Sequence, residues 1–156
     1  MAHHHPPMDL LVEYATGALP VAQSACVAAH LSYCQRCRQL VGRLEDVGGA
    51  HLERLDPQPV GESVLESVMA RLDDPEPLRY APNEASDTQL PGLLDRLING
   101  NYADLVWKRV TQSLSISYLK TGDPSHEFAL YRIAAGGRIP EHTHGGSEMT
   151  LVLRGG

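Results

Sequence analysis

The residues with the clearest capacity for chemistry are a histidine and two cysteines near the amino terminus. His30, Cys34 and Cys37 follow the spacing H-x3-C-x2-C. Imidazole nitrogen and thiolate sulfur are preferred zinc ligands, and separations this short let one helix-turn-helix bring all three to one ion. A redox cysteine pair is the alternative, but that chemistry uses a βαβ setting, which the sequence does not predict.

A structural zinc site has four ligands, so one position of this site is left open. The candidates for it are His3, His4 and His5. Two thiolates and two neutral imidazoles would neutralise the ion and give a closed site of structural type. The alternative for the three amino-terminal histidines is a cloning tag or an unstructured tail.

A second group of metal-binding side chains lies near the other end of the sequence. His142, His144 and Glu148 stand between Gly136 and Gly155 in the spacing G-x5-H-x-H-x3-E-x6-G. Side chains alternate along a strand, so both histidines would point to one face, and the glutamate would return on the next strand. Two imidazoles and a carboxylate suit Zn, Fe, Mn or Ni. The alternative is a pair of surface histidines.

Four short helices are predicted to position the thiols. They cover about residues 9–15, 20–31, 33–47 and 60–72, and the glycine pair 48–49 is predicted to end the third. Three helices of this length bury little apolar surface, so we expect the bundle to need a metal or a partner. The remaining cysteine, Cys26, is interpreted as a small buried apolar side chain.

The fourth predicted helix has an apolar face at helical spacing. That face is formed by Val60, Val64, Leu65, Val68, Met69 and Leu72. The segment 56–59, which contains two prolines, separates this helix from the other three. The face therefore packs either on its own bundle or on another protein.

The second half of the sequence changes its period. Residues 73–90 are acidic and rich in proline, which predicts a linker. A short helix within 90–99 is followed by predicted strands at 106–110, 114–118, 127–133 and 150–153. We therefore predict an α+β protein of two domains: a zinc-binding helical domain (1–72), the linker (73–90) and an antiparallel β domain (91–156).

Composition excludes several classes of function. The 156 residues include 13 Lys+Arg and 19 Asp+Glu, a formal net charge of -6, and no basic run. This argues against direct binding of nucleic acid. No apolar stretch reaches the roughly 20 residues that span a bilayer, and no signal peptide is readable, so we expect a cytoplasmic protein without membrane contact. Three cysteines, two of them closely spaced, fit a reducing compartment.

The amino-terminal pattern resembles the zinc-binding anti-sigma domain, in which an upstream histidine and H-x3-C-x2-C lie in a small helical bundle. The matching positions are His5, His30, Cys34 and Cys37. Within this pattern, the choice of His5 over His3 and His4 rests on its distance from Leu10 and Leu11. The resemblance implies a structural Zn2+ and, as partner, an extracytoplasmic-function (ECF) sigma factor.

The carboxyl-terminal pattern resembles the first motif of the cupin superfamily, which the sequence matches without a gap. The resemblance implies a jelly-roll domain in which His142, His144 and Glu148 bind Zn2+ or another divalent transition metal. Cupins complete the site with a histidine from a second motif, and the sequence ends before one appears. We therefore expect a partial cupin domain.

Together the two patterns resemble the cupin-containing zinc anti-sigma factors of the singlet-oxygen and peroxide response. The resemblance implies that the helical domain inserts between the two promoter-binding domains of a sigma factor. It also implies that the cupin domain senses oxidative stress and that the sigma factor is then released. It implies neither enzymatic activity nor a small-molecule substrate; the alternative is a dioxygenase-like cupin metalloenzyme with a zinc-binding appendage. The expected partner-binding residues are Val64, Leu65, Val68, Met69 and Leu72.

Overall fold

The computed structural model describes residues 4–61, 63–72, 90–98, 102–143 and 145–155. Its helices are α1 (Met8–Ala15), α2 (Val21–Tyr33), α3 (Gln35–Leu52), α4 (Ser63–Ala70) and α5 (Gly92–Leu97). A 3-10 turn at Tyr102–Asp104 precedes strands β1 (Lys108–Arg109), β2 (Leu114–Tyr118) and β3 (Ala129–Ile133). The fold is α+β, as predicted.

Helices α1, α2 and α3 pack around a first apolar core. Leu11 of α1 and Val27 of α2 are almost completely buried, and Val41 contributes from α3. Cys34 and Cys37 belong to the same core. The two thiols therefore lie inside the bundle that they are predicted to stabilise.

A sharp corner between α2 and α3 sets the geometry of this core. One residue, Cys34, separates the helices and adopts an extended conformation with φ -114° and ψ 99°. The guanidinium of Arg38 donates hydrogen bonds to the carbonyl oxygens of Leu31 at 2.6 Å and Ser32 at 3.2 Å. These bonds satisfy acceptors that the end of α2 would otherwise leave unpaired. The corner holds the start of α3 against the end of α2.

The predicted end of the third helix is wrong, because α3 continues through Gly48 and Gly49 to Leu52. A glycine inside a helix costs only about 1 kcal/mol relative to alanine, and neither of these glycines has a positive φ. The backbone hydrogen bonds of the helix therefore continue across the pair. One such bond runs from the N–H of Glu53 to the carbonyl of Gly49.

Helix α4 stands apart from the bundle. None of its described residues is buried, and its apolar side chains are exposed, with Leu65 at 69%. Residues 53–61, which lead to it from α3, are exposed as well. In this structure the apolar face of α4 does not pack on its own bundle.

The three strands form one antiparallel sheet in the order β1-β2-β3. On β2, Leu114, Ile116 and Ser117 are buried, and Ile116 lies opposite Tyr131 of β3. The predicted strand at 150–153 is wrong, because these residues are not part of any described β-ladder. A strand needs a hydrogen-bonded neighbour, and no described segment pairs with this one. The jelly roll stays a prediction.

A second apolar core joins α2 to the later part of the chain. Ala22, Ala25 and Ala29 of α2 pack with Leu94 of α5 and with Phe128. Of the predicted linker, residues 73–89 lie outside the described residues, whereas residue 90 packs against this core. Helix α2 thus contributes to both cores, and the division into domains stays a prediction.

The helices that the structure describes are not suited to span a membrane. None of them combines the length and the apolar character that crossing a bilayer requires.

Candidate metal centre

Four side chains from three parts of the chain converge at the corner between α2 and α3. His30 lies in the last turn of α2, Cys34 at the corner and Cys37 in the first turn of α3. His5 reaches the same point from the segment before α1. These four residues are called the thiol cluster below. The structure therefore brings together the set that the sequence resemblance named.

The distances within the thiol cluster suit one metal ion. One nitrogen or sulfur atom from each residue lies within 4.8 Å of the other three. Nδ1 of His5 is 3.4 Å from the sulfurs of both Cys34 and Cys37, and Nε2 of His30 is 3.4 Å from Sγ of Cys37. A tetrahedral zinc ion holds nitrogen and sulfur ligands roughly 3.5 Å apart, given bond lengths of about 2.0 and 2.3 Å. The cluster fits zinc without rearrangement.

Burial differs between the ligands. His30, Cys34 and Cys37 are buried, whereas His5 is exposed. A cavity of about 190 Å³ next to His5 and Cys37 is lined mainly by apolar side chains, including Leu11. The cluster is therefore closed by the bundle on the inside, and His5 lies on its solvent side.

The surroundings of His30 and Cys34 favour the protonation states in which these groups bind metal. Burial lowers the pKa of His30, with a further contribution from His5, and so favours the neutral imidazole. The backbone N–H of Cys37 donates to the sulfur of Cys34 and lowers the pKa of that thiol. Burial and the adjacent Cys34 raise the pKa of Cys37. Cys34 is therefore the thiol that ionises more readily, and a bound cation would stabilise the thiolates of both cysteines.

The second predicted site has a different setting. Nε2 of His142 lies 3.4 Å from a carboxylate oxygen of Glu148, and both side chains are substantially exposed. The carbonyl of Pro140 and then Glu148 raise the pKa of His142, which favours the charged imidazolium. The prediction for His144 lies outside the described residues. The structure brings two of the three residues together, on a segment without strand pairing.

Two features of the helical region escaped the prediction. One is Arg38, which fixes the corner through main-chain carbonyls. No motif marks such a residue, although a basic side chain shortly after the end of a helix is a weak signal for capping of its carbonyls. The other is the second buried face of α2, formed by Ala22, Ala25 and Ala29. Its i, i+3, i+7 spacing was visible in the sequence.

The chain resembles a known regulator over most of its length. It is 38% identical over 152 residues to "Anti-sigma-E factor ChrR" of Cereibacter sphaeroides, which covers 97% of this chain and 70% of that protein. Its fold is similar to a chain in the crystal structure of Rhodobacter sphaeroides SigE in complex with the anti-sigma ChrR. That match has a TM-score of 0.60 and 36% identity, and covers 78% of this chain and 60% of that chain. No family model matches the sequence.

Fold and site together define a class of protein: a small helical module built around a buried cluster of two histidines and two cysteines that could hold a metal ion. The sequence match, at 38% identity over 97% of the chain, identifies one family within this class. The chain belongs to the ChrR family of anti-sigma factors.

Proposed function

We propose that this protein binds an ECF-type sigma factor and keeps it from RNA polymerase, and that its helical module is held together by Zn2+ at the thiol cluster. The observation that carries the proposal is the convergence of His5, His30, Cys34 and Cys37 in the core of a bundle from the ChrR family. The solved relative is a complex of SigE with ChrR, which supports a sigma factor as partner. Because that partner works with RNA polymerase, the site of action is the cytoplasm.

Zinc would act at the thiol cluster as a structural element. The bundle has a small core, and its apolar side chains include the two cysteines themselves. In small metal-folded domains, binding of zinc supplies folding free energy on the order of 10 kcal/mol. The metal would therefore fix the corner between α2 and α3 and, with it, the surface that the bundle presents to a partner.

Helix α4 would be the second contact with the sigma factor. Its apolar side chains are exposed, and an amphipathic helix of this kind binds by placing its apolar face in a groove of the partner. The net charge of -6 is compatible with contact to a basic surface of a DNA-binding partner. The residues proposed to enter the groove are Val64, Leu65, Val68, Met69 and Leu72.

The later part of the chain would sense the oxidant that triggers release of the sigma factor. We place a divalent metal, zinc or another transition metal, at His142, His144 and Glu148, and assign this region to sensing of singlet oxygen or peroxide. The cupin motif and the proximity of His142 to Glu148 support the assignment. The sensing step ends in release of the sigma factor.

Co-purification tests the proposed partner. We expect the protein to form a tight 1:1 complex with the ECF sigma factor encoded beside it, to contain zinc, and to block transcription that depends on that sigma factor. The double variant Leu65→Ala/Met69→Ala should bind about tenfold or more weakly, because apolar anchors carry most of the affinity of such interfaces. The proposal would be refuted if the sigma factor stayed active and unbound when both proteins were mixed at micromolar concentrations.

Leu55→Ala is the matched control for the helix α4 variant. Leu55 is exposed to a similar degree as Leu65, at 67% against 69%, but lies outside the apolar face of α4. Its replacement should leave the affinity unchanged. Equal losses in the control and the double variant would assign the effect to general surface hydrophobicity and not to the α4 face.

A further inference from the structure

Helix α2 buries two of its faces. One face, with Val27 and His30, points into the bundle and the thiol cluster. The other face, formed by Ala22, Ala25 and Ala29 and called the alanine face below, is at most 5% exposed at each residue. A helix at the surface of a module normally leaves its second face to solvent. The burial of both faces therefore means that something is docked on α2 from outside the bundle.

The alanine face is covered by the C-terminal region, which means here the described residues from 90 to 155. Leu94 of α5 is 2% exposed and Phe128 is 9% exposed at this contact. Short alanine side chains let the neighbouring side chains approach the α2 backbone closely, as in the close-packed interior of a protein. Further apolar residues surround the contact: Leu90, Leu93, Leu97, Leu119, Leu151 and Leu153.

The docked face and the thiol cluster are joined through one rigid helix. Ala29, which is 1% exposed beneath the C-terminal region, is followed directly by His30. A rotation or shift of α2 changes the 3.4 Å separation between Nε2 of His30 and Sγ of Cys37. Metal sites tolerate ligand displacements of only about 0.2 Å. Packed cores change between discrete arrangements and do not deform continuously, so we expect such a shift to be stepwise.

We propose that docking of the C-terminal region on the alanine face and metal binding at the thiol cluster are thermodynamically linked through α2. Undocking weakens metal binding, and loss of the metal weakens docking by the same factor, because linkage is reciprocal. The proposal rests on the metal site proposed above but does not involve the sigma factor. It provides a physical route between the two ends of the chain.

The equilibrium affinity for zinc tests the linkage. Leu94→Ala removes apolar contact from the docked side and leaves the bundle unaltered. We expect its zinc dissociation constant, measured by competition with a chromogenic chelator at equilibrium, to be about fivefold or more higher than that of the unaltered protein. Ala25→Leu should act in the same direction by overpacking the interface. Leu55→Ala, at an exposed position away from both cores, should bind zinc with the unaltered affinity.

Cys26 reports docking directly. It is half-buried against the alanine face, and burial raises the pKa of its thiol, so alkylation is slow while the interface is intact. Peptide mass spectrometry after treatment with N-ethylmaleimide separates Cys26 from the two thiols of the cluster. We expect faster alkylation of Cys26 in zinc-loaded Leu94→Ala than in the zinc-loaded unaltered protein, and equal rates would contradict undocking.

The outcomes distinguish this inference from the metal site on which it rests. Purified protein that binds no zinc would overturn both. Zinc bound with equal affinity by Leu94→Ala, Ala25→Leu and the unaltered protein would overturn the linkage and leave the metal site standing. Weaker zinc binding in both interface variants, with the affinity of Leu55→Ala unchanged, supports the linkage.

Discussion

The two groups of candidate metal ligands in this protein both include histidines, but they differ in their other ligands and in their surroundings. At the thiol cluster, three of four ligands are buried and each is fixed by a helix or a helix corner. At the other group, His142 and Glu148 lie on an exposed segment outside the sheet. Buried ligands on rigid elements are held in place before an ion arrives, whereas exposed ligands on a loop must be ordered by it.

This contrast separates two roles for a metal. An ion in the core of a bundle contributes to folding, and its loss is felt by every surface of that bundle. An ion at an exposed site can exchange and react without unfolding its surroundings. We therefore assign stability to the first group and responsiveness to the second, and the following variants test this division.

The largest effect is expected from Cys34→Ala. The variant removes one ligand and part of the core, so zinc content should fall from about one equivalent to near zero and the bundle should unfold. Metal analysis with circular dichroism measures both. Cys26→Ala is the control, because Cys26 lies outside the thiol cluster. Full zinc content and unchanged sigma-factor affinity in Cys34→Ala would refute the structural role.

The next largest difference is expected between the His30→Ala and His142→Ala variants in their affinity for the sigma factor. His30→Ala should abolish tight binding of the sigma factor, since it removes a buried ligand. His142→Ala should leave that affinity within about twofold, since the replaced side chain is exposed. The response of the bound complex to singlet oxygen or peroxide should change only in His142→Ala. An oxidant response unaltered by this replacement would contradict the sensing role.

The smallest effect is expected from Arg38→Ala. The variant loses the two hydrogen bonds to the end of α2, so the free energy of unfolding should fall by about 1 kcal/mol. Urea denaturation of the zinc-loaded protein measures the change. Arg43→Ala, an exposed arginine on the same helix, is the control. A loss equal to that of the control would show that Arg38 does not stabilise the corner.

The sequence predicted local features well. His30, Cys34 and Cys37 lie within eight residues, so their meeting depends on a single corner whose helices have clear apolar spacing. The bounds of α1 and β2 were close for the same reason. His5 is different, because three adjacent histidines offer identical chemistry. Within the family pattern, only the distance to Leu10 and Leu11 favoured His5, and His5 is the one that lies at the cluster.

Features that depend on distant contacts were not predictable. Residues 150–153 have the composition of a strand, but strand formation requires a partner that the sequence does not specify locally. The end of α3 was misplaced because glycine lowers helix stability without forbidding the helix. The docking of the alanine face joins it to Leu94, about 70 positions away, and to Phe128, about 100 positions away. Sequence periodicity identifies such a face but not what covers it.

The separation of α4 from the bundle has a consequence for affinity. About ten residues, including Pro57 and Pro59, connect the end of α3 to the start of α4. In the proposed complex, a tether of this length would present α4 to a bundle-bound sigma factor at an effective concentration in the millimolar range. Two weak attachments would then hold one target with high avidity. Disabling either attachment would convert a persistent complex into one that dissociates rapidly.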